Sequence, residues 1–197
     1  NETKKYIRGM RVSEYFPGGI NPKKMALKIN GTDRLEPLMP TSKEYGESMI
    51  RFYETWKNDE DPIDLRPITE MIRSFIVGKS EGCLYSQDAC HNSVIGIKSN
   101  GDFYTCIRGA SSPNFFIGNV EEKPLEKYAK DSITSKSSRI TKLLEGSCGS
   151  CKFWNYCNGG CPLESWKLYG DLDHKTFYCE GRKMIFEHIL KDLQTIK

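Results

Sequence analysis

The stretch Cys148-Gly149-Ser150-Cys151-Lys152-Phe153-Trp154-Asn155-Tyr156-Cys157-Asn158-Gly159-Gly160-Cys161 spaces four thiols at intervals of two, five and three residues. Loops that short bring four sulfurs within reach of one small object. A disulfide needs a defined Cβ separation and dihedral, so thiols this crowded cannot all pair with one another without strain. A metal centre explains the crowding better. Zinc sites commonly face one Cys-x2-Cys knuckle with another, and only Cys148 to Cys151 has that spacing here. Iron-sulfur clusters take four thiolates, often from a short-spaced run with one ligand supplied from elsewhere. Cys179 follows Cys161 after seventeen residues, and the chain's eight cysteines make two complete quartets. Zinc, and four disulfides in an exported protein, stay open as alternatives.

Working outward, all eight cysteines fall between Cys83 and Cys179, which marks a composition boundary near Gly78. Upstream of the quoted stretch, Val94-Ile95-Gly96-Ile97-Lys98 and Phe103-Tyr104-Thr105-Cys106 flank Ser99-Asn100-Gly101-Asp102. Asn-Gly between two β-prone runs predicts a hairpin whose two central turn residues take positive φ. Its open ends bring Cys90 and Cys106 together. Gly159 and Gly160 predict a tight backbone turn that exposes amides to sulfur, and Phe153, Trp154 and Tyr156 predict a hydrophobic lid over the inorganic core.

The pattern Cys90-x10-Gly101-x4-Cys106, then Cys148-x2-Cys151-x5-Cys157-x3-Cys161, then Cys179 resembles the seven-cysteine signature of the SPASM domain, the C-terminal extension of radical SAM peptide-modifying enzymes. The stretches 116–120 and 158–162 also look like family sequence. The resemblance implies two auxiliary 4Fe-4S clusters with interleaved ligands. Cys83, Cys90, Cys106 and Cys161 would hold the first, and Cys148, Cys151, Cys157 and Cys179 the second. Cys83 lies outside the seven-cysteine signature, and clusters with an open iron site occur in this family. The sulfatase-maturating branch places an Asp base after the hairpin-end cysteine, whereas Ile107 follows Cys106 here.

Before the boundary, Thr41-Ser42-Lys43-Glu44 has the capping-box pattern, and Tyr45, Met49, Phe52 and Trp56 follow at helical spacing. A second helix is predicted from Leu65 to Val77, with Ile68, Met71, Ile72 and Phe75 inward and Gly78 as its stop. Two short helices are predicted over 120–130 and 135–145. A last one runs over 182–196, with Ile185, Ile189, Leu193 and Ile196 facing the core. The expected fold class is α+β. Residues 1–78 are the C-terminal remnant of a partial (β/α) barrel with its linker, a part that looks like the barrel end of peptide maturases, cyclophane-forming ones included. Residues 79–197 form a small SPASM domain with a β-hairpin and helices around two clusters.

With 38% hydrophobic residues, 28% charged residues and a net charge of +3, nothing suggests a nucleic-acid surface, and no apolar run approaches the roughly 20 residues needed to span a bilayer. No Ser-His-Asp set, phosphate loop or paired acid and base stands out. His91 reads as a surface residue or one that packs behind a ligand beside Cys90, and His174 and His188 read as surface residues. The Cys-x3-Cys-x2-Cys motif of the cluster that cleaves S-adenosylmethionine is absent, so this chain alone should not generate the radical. The resemblance then implies a cytoplasmic maturase part that binds two 4Fe-4S clusters for electron transfer and for shaping the substrate site. S-adenosylmethionine and a third 4Fe-4S cluster would belong to an upstream radical SAM domain, in cis or on another chain. The partner would be a precursor peptide, modified by crosslinking or another maturation. The alternative is a stand-alone cluster- or zinc-binding peptide-docking module without catalysis.

Overall fold

The capping pattern at Thr41 starts helix α1 (Ser42–Lys57). Its hydroxyl accepts from the Glu44 amide at 3.2 Å, and the Glu44 carboxylate accepts from the Thr41 amide at 2.8 Å. The structure is a computed structural model and describes residues 9–11, 39–82, 95–110, 112–122, 124, 126–127 and 137–195. The face that α1 buries carries Tyr45, Gly46, Met49 and Tyr53. Phe52, expected inward, is 40% exposed. Tyr53 takes its place because it lies one turn from Met49 and two from Tyr45, so the three side chains stack on one stripe. Trp56 is partly buried and donates its indole N–H to the Ile63 carbonyl at 2.7 Å.

A short strand β1 (Gly9–Arg11) pairs in parallel with β2 (Asp64–Arg66), in the register Gly9 to Asp64, Met10 to Leu65 and Arg11 to Arg66. Parallel neighbours need a crossover, and α1 lies between them in the chain. Leu65 therefore belongs to a strand and not to the following helix, α2 (Ile68–Val77), which ends as expected at Gly78 in the left-handed conformation. Arg11 reaches back to the buried Glu70 of α2 at 2.5 Å, fastening the strand pair to that helix.

The predicted hairpin forms from β3 (Gly96–Ile97) and β4 (Asp102–Tyr104), and β5 (Phe116–Asn119) adds an antiparallel third strand. The turn differs from the expectation. The Gly101 amide donates to Lys98 carbonyl and the Lys98 amide to Asp102 carbonyl, each at 3.0 Å, and only Gly101 of the turn has positive φ, at 83°. This is a three-residue loop with glycine in the bulge position, so Asn100 stays in an ordinary conformation.

Helix α3 (Ser137–Glu145) precedes the cysteine run, with its stop at Gly146. The run contains the single turn α4 (Trp154–Cys157) and leads into α5 (Pro162–Tyr169). The last helix, α6 (Cys179–Thr195), begins three residues before the expected start. The prediction for 120–130 and the side chain of Ile196 fall partly or wholly outside the described residues. Among the described residues no helix is long and apolar enough to cross a membrane.

Helices α1 and α6 lie side by side in the same direction. Gly181 faces Ser42 and Gly46 at one end, while His188 and Asp192 meet Glu54 and Lys57 at the other. The approach depends on glycine, since a Cβ at Gly181 would lie 2.0 Å from the Ser42 carbonyl oxygen and one at Gly46 would lie 2.7 Å from the Gly181 Cα. The main core combines Met49, Tyr53, Ile68 and Met71 with Tyr178, Ile185, Phe186 and Ile189. Phe153 from the cysteine run is part of it, 5.3 Å from the Phe186 ring, and Tyr156 stands edge-on to Phe75 at 4.8 Å. These two rings anchor the run in the main core.

Candidate metal centre

Six of the eight cysteines are described, and all six are free thiols. Cys83 and Cys90 lie outside the described residues, as does His91, so the approach of Cys90 to Cys106 has no structural account. Cys106 ends the hairpin and starts a short 3-10 helix, where its carbonyl accepts from the Gly109 amide at 2.9 Å. Cys161 precedes Pro162 and α5, whose first turn needs no amide from proline. Cys106 and Cys161 pack against the same small core of Tyr104, Ala110, Phe115 and Leu163.

The other four thiols are Cys148, Cys151, Cys157 and Cys179. Cys151 and Cys157 pack against the main core. Cys148 is buried, and Cys179 opens α6. Cys148 feels the charge of Cys179 and Cys151, while Cys157 feels Cys148, so the four sulfurs share one electrostatic neighbourhood. Burial pushes the thiols of Cys148, Cys157 and Cys179 above the ordinary range. Lys175 opposes the rise at Cys148 and Cys179, and Arg182 opposes it at Cys157. A buried thiolate is stabilised only beside a metal or a fixed cation, and Lys175 and Arg182 are the cations beside these thiols.

The turn between the two groups has three consecutive positive φ angles, 49° at Asn158, 73° at Gly159 and 85° at Gly160. That left-handed run reverses the chain within three residues and aims the Gly159 amide at the Cys157 sulfur. Thr176 donates its amide to the Gly159 carbonyl at 2.8 Å, which draws the segment before Cys179 against the turn.

The cysteine pattern by itself gave no sign of two buried arginines. Arg139 of α3 and Arg182 of α6 are each 1% exposed. Arg139 donates to the carbonyls of Gly159 and Gly160 at 3.2 Å each, to His174 at 2.6 Å, and to Leu172. Cys161 is the largest of the nearby charges that favour its charged state against the cost of burial. Arg182 donates to the Cys157 sulfur and faces Glu164 at 3.7 Å. The buried Glu164 carboxylate accepts from the Thr176 hydroxyl at 2.6 Å and from the Phe177 amide at 2.7 Å. Only the i, i+3 spacing of Cys179 and Arg182 on one helical face hinted at the second arginine. His174 stacks on Tyr169 at 4.2 Å, where burial pushes the phenol up to about 12. His188, read as a surface residue, is partly exposed and is tied to Glu54 at 2.6 Å across α1 and α6.

The donor set suits a thiolate-bound inorganic group: free thiols, an amide aimed at sulfur, and buried cations beside them. Among the described residues no three Cys, His, Asp or Glu side chains converge closely enough to hold a single metal ion.

No family model matches the chain. Over 158 residues it is 21% identical to the serine-type anaerobic sulfatase-maturating enzyme of Bacteroides thetaiotaomicron, an overlap of 79% of this chain and 37% of that protein. Its fold matches the solved structure of native anSMEcpe with bound AdoMet at a TM-score of 0.65 and 19% identity, over 84% of this chain and 45% of that one. Native anSMEcpe with bound AdoMet and Kp18Cys peptide matches at a TM-score of 0.62 and 17% identity, over 90% and 47%. The chain spans less than half the length of these relatives. Together the likenesses define a class: a mixed helix-and-strand fold similar to the C-terminal part of SPASM-type radical SAM maturases. Within that class, the particular proteins it is shown to be similar to are anaerobic sulfatase-maturating enzymes.

Proposed function

We propose that this chain is the auxiliary-cluster part of a radical SAM peptide maturase, holding two 4Fe-4S clusters beside a precursor-peptide site. The observation that carries the proposal is that the six described free thiols fall into a pair and a foursome. Cys106 and Cys161 sit on one small core, and Cys148, Cys151, Cys157 and Cys179 share one electrostatic neighbourhood. In this reading Cys83 and Cys90 complete the first quartet. Residues 79–197 are the cluster domain, and residues 1–78, with their parallel β1–β2 pair, are the end of a partial barrel.

When bound, such clusters accept single electrons at potentials tuned by charge, hydrogen bonding and burial. The chain's own residues position and enclose them. The hairpin carries Cys106 to α5, the turn at 158–160 separates Cys157 from Cys161, and Phe153 and Tyr156 pin the intervening loop to α2 and α6. The radical itself, made with S-adenosylmethionine, would come from an upstream domain carrying the Cys-x3-Cys-x2-Cys motif. Ile107 occupies the position after the hairpin-end cysteine and is 53% exposed. With no carboxylate at that position, crosslinking or another peptide maturation is favoured over sulfatase maturation, even though sulfatase-maturating enzymes are among the relatives.

Anaerobic purification tests the reading. The protein should be brown, with about eight iron and eight sulfide per chain, and Cys179→Ala should lower both to about four. Colourless protein with stoichiometric zinc overturns it in favour of a structural module. Cys83→Ala with an unchanged iron count and unchanged spectrum removes Cys83 from the ligand set. An in-frame Cys-x3-Cys-x2-Cys motif upstream separates a maturase part from a stand-alone module.

A further inference from the structure

A guanidinium buried in a protein interior needs compensation, because moving a charge out of water costs several kcal/mol. The two buried arginines beside the thiols solve this differently. Arg139 directs its donors to four backbone carbonyls, those of Gly159, Gly160, Leu172 and His174. It is a brace that ties the 158–160 turn to the segment before Cys179. Arg182 lies one turn into α6 from Cys179 and donates to the Cys157 sulfur, with Glu164 farther off at 3.7 Å. The Glu164 carboxylate is meanwhile engaged by Thr176 and Phe177, so it orders the 176–177 segment as well as facing the guanidinium.

The passage for Arg182 is also built into the turn. A Cβ at Gly160 would lie 2.7 Å from Arg182 Nη1 and 2.6 Å from Thr176 Cβ. Glycine at this position leaves the guanidinium room to run alongside the turn to the sulfur. Lys175 and Lys183 add positive charge around the same four thiols, but both side chains reach solvent, where their effect is screened.

Resting on the cluster reading above, we propose that Arg182 is a positioning residue that raises the reduction potential of the second cluster, through a fixed positive charge held against the Cys157 sulfur. A reduced cluster carries one more negative charge than an oxidised one. A cation fixed in the low-dielectric interior therefore stabilises the reduced form more, and a charge-assisted N–H to a thiolate acts in the same direction. Arginine suits the position because it stays protonated when buried and its planar fork serves sulfur and carboxylate together.

The test uses the full chain, reconstituted anaerobically and titrated electrochemically with EPR detection. Cys179→Ala identifies the midpoint that belongs to the second quartet. Arg182→Met should lower that midpoint so that the reduced-to-oxidised ratio at fixed potential falls about tenfold, which is 59 mV for one electron, and should leave the other midpoint in place. Arg182→Lys keeps the charge without the fork and should shift the same midpoint by less. It also serves as the readout where the Met variant folds poorly. Unchanged midpoints at full iron content overturn the role of Arg182 and leave the cluster reading standing. Loss of iron in both variants alike reduces Arg182 to a structural part and also overturns it. Wild-type protein that binds no iron overturns both.

Discussion

The α1–α6 layer and the cysteine end of the molecule are held together by opposite means. Where α1 meets α6, glycine lets two backbones touch and apolar side chains fill the rest: Tyr45 on Tyr178 at 4.7 Å, and Met49, Ile185 and Ile189 buried beside them. Such a seam closes by excluding water and asks nothing of a ligand. Between α3 and α6 the buried groups are Arg139, Arg182, Glu164 and Thr176, set among thiols and bare carbonyls. Polar groups in an interior stabilise it only when each is satisfied, so this end depends on its hydrogen-bond network and on whatever the thiols hold. One region is a conventional core, and the other is a polar frame around sulfur.

Arg139→Met strikes the frame hardest. Four carbonyls lose their donor at once, and we expect a loss of about 4 kcal/mol in unfolding free energy by urea titration, with iron retention falling in parallel. The contrast between the two regions breaks if Arg139→Met costs under about 1 kcal/mol, because the buried cation would then be incidental.

The difference between the regions also decides what could be read from the sequence. The helical layer was legible where local chemistry dictates structure, in the Thr41 capping box, the Gly78 stop and the Ile185–Ile189 stripe. It was misread where a distant partner decides. Leu65 joins a strand because Met10 lies opposite it, and Tyr53 displaces Phe52 because Asp192, 139 residues away, accepts its hydroxyl at 2.6 Å. At the cysteine end the thiols announced themselves by spacing. Arg139 and Arg182 did not, since a lone arginine in a polar helix carries no signal that carbonyls and sulfur from three other segments will surround it.

Gly181→Ala sharpens the comparison from the other side. The added methyl meets backbone at Ser42 and Gly46, which cannot rotate away, so the helices must separate. We expect a loss of about 3 kcal/mol, the same with and without bound iron. A cost that changes with iron would show that the seam and the frame form one cooperative unit.

Thr41→Ala should cost about 1 kcal/mol, again independently of iron, because it removes only the hydroxyl that accepts from the Glu44 amide and leaves the reciprocal bond from the Thr41 backbone amide at the exposed start of α1. Thermal unfolding followed by circular dichroism would register it as a drop of a few degrees, and restoring the cap with Ser should recover most of that.

The smallest expected effect lies at the far end of the same seam, where Glu54, Lys57, His188 and Asp192 meet. The hydrogen bond from His188, then that from Lys57, holds the Glu54 carboxyl below its usual range, while the Tyr53 hydroxyl and Lys57 do the same for Asp192. Carboxyls depressed in the folded state contribute stability that is fully present above their unfolded pKa, near 4, and is lost as pH falls through the lower folded value. Stability should therefore be flat in this respect above about pH 5 and decline below about pH 4. The side chains are partly open to water, so salt should weaken the dependence. Glu54→Gln should flatten the acid limb of the urea midpoint while leaving its value near pH 7 lowered. An acid limb as steep in Glu54→Gln as in the unaltered protein would show that Glu54 does not carry the acid sensitivity of the seam.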